Sequence, residues 1–162
     1  MVQAAIDVAE QGMRQGEMPI GAVVEMGGEI IAHAFTEDVT QARRLVHADL
    51  LAMTRADRKL GWQPRQHPVR LAVNLEPCLM CLGAAMAFKV TEVYWGLESP
   101  ADGGSTIAAA WPISDDLPWY APPKMIGGIK RTEVREQFRR YCALAPDSGF
   151  RRWAQTLVEL PD

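Results

Sequence analysis

Residues 69–75 (VRLAVNL) form a short run apolar enough to be a strand buried on both faces of a sheet. Pro77 follows at the position of a first helical turn, where its missing N–H costs nothing, and the apolar pattern then continues to about Phe88. Residues 90–96 read as the next strand. A strand, a crossover helix and a second strand so closely spaced leave few folds open: the strands run parallel and helices cover the sheet. Before this unit the spacing predicts a helix over 2–15, a strand over 20–25, a hairpin turn at Met26-Gly27-Gly28-Glu29, a returning strand over 30–35 and a polar stretch over 36–44. A helix over 46–60, stopped by Gly61, leads into the proline-bounded loop 63–68. After the unit the pattern weakens over 99–123. A strand over 124–126 and helices over 132–144 and 150–160 complete a layered α/β expectation with parallel pairings, read as one domain over 1–162.

A chain of 162 residues with 48% apolar and 23% charged composition is an ordinary globular domain. Folding at this size buries roughly two thirds of the unfolded surface, so the core needs no metal merely to exist and a bound metal would serve chemistry. A net charge of −3 gives no global attraction to phosphate, which disfavours nonspecific nucleic-acid binding but leaves a local basic patch open. Three cysteines do not make a secreted disulfide framework. The first residues lack the basic start and apolar run of a signal peptide, and the longest apolar stretch, 79–88, falls far short of the roughly 20 residues of a membrane helix. The expectation is a cytoplasmic protein with reduced thiols and no membrane association.

Cys78 and Cys81 stand three apart at the start of a helix, so both sulfurs can meet one ion. The pair alone is also the pattern of a redox motif, because a helix N-terminus lowers a thiol pKa. His47-Ala48-Asp49 opens another helix one strand earlier and tips the balance toward zinc. His47, Cys78 and Cys81 are three ligands, which leaves a fourth tetrahedral position for water, the open pattern of a catalytic zinc. Asp49 is then placed to take the proton of that water and hand it to the substrate. The chemistry expected is attack on an electron-poor ring carbon bearing an exocyclic amine, with ammonia leaving.

The run Leu75-Glu76-Pro77-Cys78-Leu79-Met80-Cys81, with the upstream His-Ala-acid, resembles the cytidine-deaminase-like superfamily and its H-x-E…P-C-x-x-C signature. Residues 17–24 and 93–96 are similar to strands of its tRNA adenosine deaminase and guanine deaminase branch. The resemblance implies a three-layer α/β/α sandwich around a five-stranded mixed sheet, a Zn²⁺ cofactor and a homodimer whose partner helps enclose the substrate. Thr36, Ala48, Asn74 and Glu76 are the substrate-contacting candidates, Glu76 through its backbone. Two positions depart from the pattern. Asp49 stands for the family's glutamate, shorter by one methylene, and Thr36 stands where related enzymes carry an asparagine. The favoured substrate is therefore a small amino-heterocycle, nucleobase or nucleoside; a tRNA adenosine and a silent zinc-binding homologue are the alternatives.

Plainer readings stay open beside these. Asp49 also fits as an acid in a helix's first turn, and Asn74 as a partner of neighbouring backbone. Trp111, Trp119 and Tyr120 suit either a pocket cover or dimer packing. The basic residues Lys130, Arg131, Arg135, Arg139, Arg140, Arg151 and Arg152 suit phosphate contacts or a solvated helix face that balances the acidic remainder. His33 and His67 read as surface residues, and Cys142 as a small buried apolar one.

Overall fold

The computed structural model describes residues 1–112 and 114–162. Its elements in chain order are α1 (Val2–Met13), β1 (Gly21–Met26), β2 (Glu29–Phe35), α2 (Ala48–Leu60), β3 (Val69–Leu75), α3 (Leu79–Ala87), β4 (Val90–Leu97), α4 (Ser105–Ala109), β5 (Lys124–Ile126), α5 (Arg131–Leu144) and α6 (Gly149–Val158). The five strands form one sheet in the order β2-β1-β3-β4-β5. β1 is antiparallel to both β2 and β3, whereas β3, β4 and β5 are parallel, so the sheet is mixed as the resemblance implied. The first hairpin turns at Gly27 and Gly28, whose φ angles of 65° and 92° suit glycine in a tight two-residue connection.

Alternation along the strands divides the core into two layers. Val69, Leu71 and Val73 of β3, with Ala22 and Val24 of β1, pack under Ala48, Ala52, Met53 and Ala56 of α2 and Ala85 of α3. Alanines at every fourth position of α2 let that helix sit close on the sheet. Ala72 and Val23 point the other way, into a cluster with Val2 and Ile6 of α1, Val134 and Phe138 of α5, and Ala154 and Leu157 of α6. Phe138 meets Trp153 edge to face, with ring centroids 6.3 Å apart. The result is the three-layer α/β/α sandwich with helices on both faces of the sheet.

The antiparallel pairings bring the candidate ligands together. Since β2 and β3 are each antiparallel to β1, they run the same way, and the helices that follow them start at the same edge of the sheet. α2 and α3 therefore begin side by side although β1 separates their preceding strands. Helix α4 was not anticipated: five residues are too few for a periodic pattern to show. Helix α3 starts at Leu79 rather than Pro77, and α2 starts at Ala48 rather than residue 46, because Cys78 and His47 are extended caps. Among the described residues no helix is long and apolar enough to cross a membrane.

The basic residues late in the chain are mostly spoken for. Arg131 pairs with Glu98, Arg135 with Asp162, Arg139 with Glu136, Arg140 with Glu10, Arg152 with Asp147 and Lys130 with Glu133. The Arg131 guanidinium beside Glu98 holds that carboxyl below its usual range. Six of the seven basic residues named above, all but Arg151, thus face an acidic partner. His33 and His67 are exposed and Cys142 is buried, each as the sequence suggests.

Candidate metal and active site

His47 and Cys78 are the N-cap residues of α2 and α3, each in extended conformation, with ψ of 147° and 168°. Each carbonyl accepts the first helical hydrogen bond, from Leu51 N–H and Leu82 N–H at 2.9 Å. An N-cap side chain lies against the third residue of its helix, the geometry that closes a capping box. In α3 that third residue is Cys81, so the cap places both sulfurs on one spot.

The His47 Nδ1 atom lies 3.6 Å from the Cys78 sulfur and 3.8 Å from the Cys81 sulfur. All three donor atoms fall within 4.8 Å of one another, and they form the one such metal-ligating group among the described residues. A tetrahedral zinc with Zn–S near 2.3 Å and Zn–N near 2.0 Å needs neighbouring S and N about 3.6 Å apart. The donor set fits zinc in both chemistry and spacing.

The site's electrostatics follow from this crowding. Hydrogen bonding from the Cys81 thiol, and then from His47, pulls the Cys78 thiol down to about 4 against the opposing effect of burial. Cys81 moves the other way: its hydrogen bond to Cys78 and its burial hold the proton on it. The hydrogen bond to Cys78 lifts His47 to about 9. The two helix N-termini also favour negative charge here. At pH 7 the metal-free site thus holds one proton on His47 and one on Cys81 but none on Cys78. Zinc has to displace both, since only deprotonated groups ligate. Zinc uptake at pH 7 is expected to release about two protons per ion, and apparent affinity to fall about 100-fold per unit as pH drops. Calorimetry in two buffers of different ionisation enthalpy measures the release; a count near zero contradicts this ligand set.

Asp49 is the second residue of α2 and is 4% exposed. Burial, reinforced by the Cys78 thiolate, pushes its carboxyl up to about 6, while a hydrogen bond from the Cys81 thiol works against the rise. Asp49 and the ligands His47 and Cys78 line a cavity of about 900 Å³ at this edge of the sheet. Thr36, Ala48 and Glu76 line it too.

Asn74 does not contact the cavity. It is fully buried; its Oδ1 accepts from Gly21 N–H at 2.9 Å, and its amide donates to the Pro19 carbonyl at 2.7 Å and to Gln137 Oε1 at 3.1 Å. Every polar atom of the side chain is committed to joining β3 to β1 and α5, which corrects its place among the substrate contacts. The Glu76 side chain is likewise structural: its two oxygens accept from Ser99 N–H at 3.0 Å and Ser105 N–H at 2.9 Å, pinning the loop beside Cys78. Gly103, bridged to Cys78, lies so close that a β-carbon there would sit 2.4 Å from the Glu76 carboxylate. Gly103→Ala is therefore expected to displace Glu76 and to cost about 1–3 kcal/mol of stability, read as a lowered melting temperature.

The cavity also has walls that sequence reasoning did not find. Asp38, Arg43 and Arg44 come from the loop between β2 and α2, and Ser148, Gly149, Phe150 and Trp153 come from the start of α6. Glu17, fully buried, shapes the loop by accepting from Val39 N–H at 3.0 Å and Thr40 N–H at 2.7 Å. A serine N-cap ahead of aromatics spaced three apart was the available signal for the α6 wall. Trp111, Trp119 and Tyr120 lie away from this cavity: Trp111 packs on Leu82, Met86 and Ala108, and Trp119 is 75% exposed. Ile113, within that stretch, lies outside the described residues.

Comparison with known proteins agrees with this geometry. The tRNA-specific adenosine deaminase of Bacillus subtilis (strain 168) is 40% identical over 105 residues, a match covering 64% of this chain and 64% of that protein. A structure from studies of A-to-I editing by tRNA:A34 deaminases superposes with a TM-score of 0.72 at 25% identity, over 83% of this chain and 96% of that one. A guanine deaminase from Nitrosomonas europaea shares the fold, with a TM-score of 0.68 at 19% identity over 86% of this chain and 81% of that one. The model of the cytidine and deoxycytidylate deaminase zinc-binding region matches residues 1–97. That span contains His47, Asp49, Cys78 and Cys81, and the chain belongs to this deaminase family.

Proposed function

We propose that this chain is a hydrolytic deaminase of a small amino-heterocycle, a nucleobase or nucleoside, working over residues 1–162 as one domain. The observation that carries the reading is the tetrahedral spacing of His47, Cys78 and Cys81 with Asp49 buried beside them on one cavity. Zinc held by these ligands supplies the Lewis acidity that makes water a nucleophile near neutral pH. Asp49 takes one proton from the attacking water and passes it to the ring nitrogen, then takes the proton left on the added hydroxyl and passes it to the departing amine. A C–O bond forms, the C–N bond breaks, and ammonia leaves. A carboxyl lifted toward neutrality by burial suits this exchange, because it both accepts and gives up a proton at modest cost. Thr36, Ala48 and the Glu76 backbone form the surrounding wall. This reading takes the enzyme to work in the cytoplasm, a setting that suits its three free thiols. The homodimer in this reading uses the shallow apolar hollow on the other side of Cys78, where Leu79 and Ile107 are exposed.

A second reading, deamination of an adenosine in tRNA, is favoured by the relatives' substrate and by Arg43, Arg44, Phe150 and Trp153 on the cavity wall. The ion-paired arginines of α5 weigh against it. The test is ammonia release by zinc-loaded protein from amino-purines, amino-pyrimidines, their nucleosides, amino-triazines and pterins, beside an inosine assay on tRNA. Release from a small ring supports the first reading; inosine in tRNA with an inactive panel replaces it by the second. Zinc bound at one per chain without either activity means a silent homologue.

A further inference from the structure

We propose that Asp38 is a specificity-determining residue that accepts a hydrogen bond from an N–H or O–H group of the substrate, a proposal that rests on the deaminase reading above. Asp38 is 8% exposed and belongs to the wall of the cavity that holds His47 and Asp49. Its Oδ2 accepts the hydroxyl proton of Thr36. Its Oδ1 is buried, and no donor among the described residues reaches it. A buried carboxylate oxygen left without a donor is costly, and in a cavity wall the natural way to relieve it is a donor brought by the ligand.

The residue is held for such a role. Glu17 fixes the backbone just after it through Val39 and Thr40, and Arg43 N–H donates to the Asp38 carbonyl at 3.3 Å. The side-chain torsion at the carboxylate is broad, so a partial turn brings Oδ1 toward the cavity while the backbone stays in place. Thr36 cannot supply a donor to the ligand, because its single hydroxyl hydrogen goes to Asp38, with the Val46 carbonyl at 3.4 Å as its other acceptor. This stretch of wall therefore offers acceptors only. It takes a neutral ring N–H or a sugar hydroxyl and repels a phosphate at the same place. Arg43 and Arg44 lie on the same wall but are exposed, and Arg43 donates to Gln41 Oε1 at 3.0 Å rather than to Asp38.

The test reads equilibrium binding, by titration calorimetry, of inosine, 2′-deoxyinosine and 1-methylinosine to the zinc-loaded full chain. None of the three carries an exocyclic amine, so none is turned over. Inosine against 2′-deoxyinosine probes a sugar hydroxyl, and inosine against 1-methylinosine probes the ring N–H. The wild type is expected to bind inosine about ten- to a hundredfold more tightly than whichever analogue lacks the donor Asp38 uses. In Asp38→Asn, whose amide can turn its NH₂ to the ligand, that gap is expected to shrink below about threefold. A purely steric loss for the methylated ring would persist in the variant. Zinc content equal to wild type, together with a closed gap in Asp38→Ala, shows that the fold is intact. A gap unchanged by Asp38→Asn, equal affinity of the wild type for all three ligands, or no binding of any of them overturns the proposal. A closed gap with an inactive ammonia panel keeps Asp38 as an acceptor site and removes the small-ring substrate reading instead.

Discussion

Cys78→Ala is expected to lose zinc: after dialysis the variant retains little metal, whereas the wild type holds about one ion per chain. A structural-type zinc site contributes about 10–16 kcal/mol over four ligands, or roughly 2.5–4 kcal/mol for each, so one lost thiolate weakens binding about 10²- to 10³-fold. Two features make Cys78 the most informative ligand to remove. It is the thiol already ionised in the metal-free site, pulled down to about 4 by hydrogen bonding from Cys81 and His47. It is also what keeps the proton on His47, so its loss returns the imidazole toward its ordinary range. Cys142→Ala is the matched control, because that buried thiol sits in α5, donates to the Arg151 carbonyl and stands outside the His47, Cys78 and Cys81 group. Metal analysis beside circular dichroism separates loss of the site from loss of the fold. Full zinc occupancy in Cys78→Ala would remove this cysteine from the ligand set.

The ligands were legible in the sequence because their geometry is local. Cys78 and Cys81 meet through a helix cap and its third residue, and His47 caps the next helix back. That these two caps adjoin depends on β2 and β3 both running antiparallel to β1, which the hairpin signal at Gly27 and Gly28 already implied for the first pair. Strands β3 and β5 appear with the boundaries their apolar runs suggest, whereas α4 carries too few residues to register. The misreading of Asn74 has a specific cause. A polar residue near a strand end next to the ligands looks like a pocket residue, but its partners Pro19, Gly21 and Gln137 are 53 to 63 positions away in the chain, and nothing in the sequence pairs them. The Phe150 and Trp153 wall escaped for the same reason: α6 reaches the cavity only because α5 docks on the far face of the sheet and turns it back. Contacts made within one helical turn can be read from spacing, and those closed by tertiary packing cannot.

Asp49→Asn is expected to keep its zinc and to lose about 10²- to 10⁴-fold in kcat, the usual worth of a positioned proton carrier. The isosteric amide preserves the shape of the site and removes only the proton exchange, so metal content and melting temperature should stay near wild type while turnover falls. The pH profile follows from the same carboxyl. A base must be ionised to accept a proton, and burial places Asp49 at about 6 in the metal-free site. A bound cation favours the ionised form, so the acid limb of the wild-type profile should lie at or below pH 6, with activity falling as pH drops through it, and Asp49→Asn should lack that limb. Asp49→Glu then decides whether this pocket is built around the shorter acid. Asp49 is 4% exposed but lines the cavity, so another methylene extends into that space. The longer side chain moves its carboxylate by about 1 Å, a shift that costs on the order of 10²-fold in rate. The expected result is therefore a slower enzyme. A large gain in turnover would instead mark Asp49 as an impairment that glutamate repairs, and the cavity as one made for the longer reach.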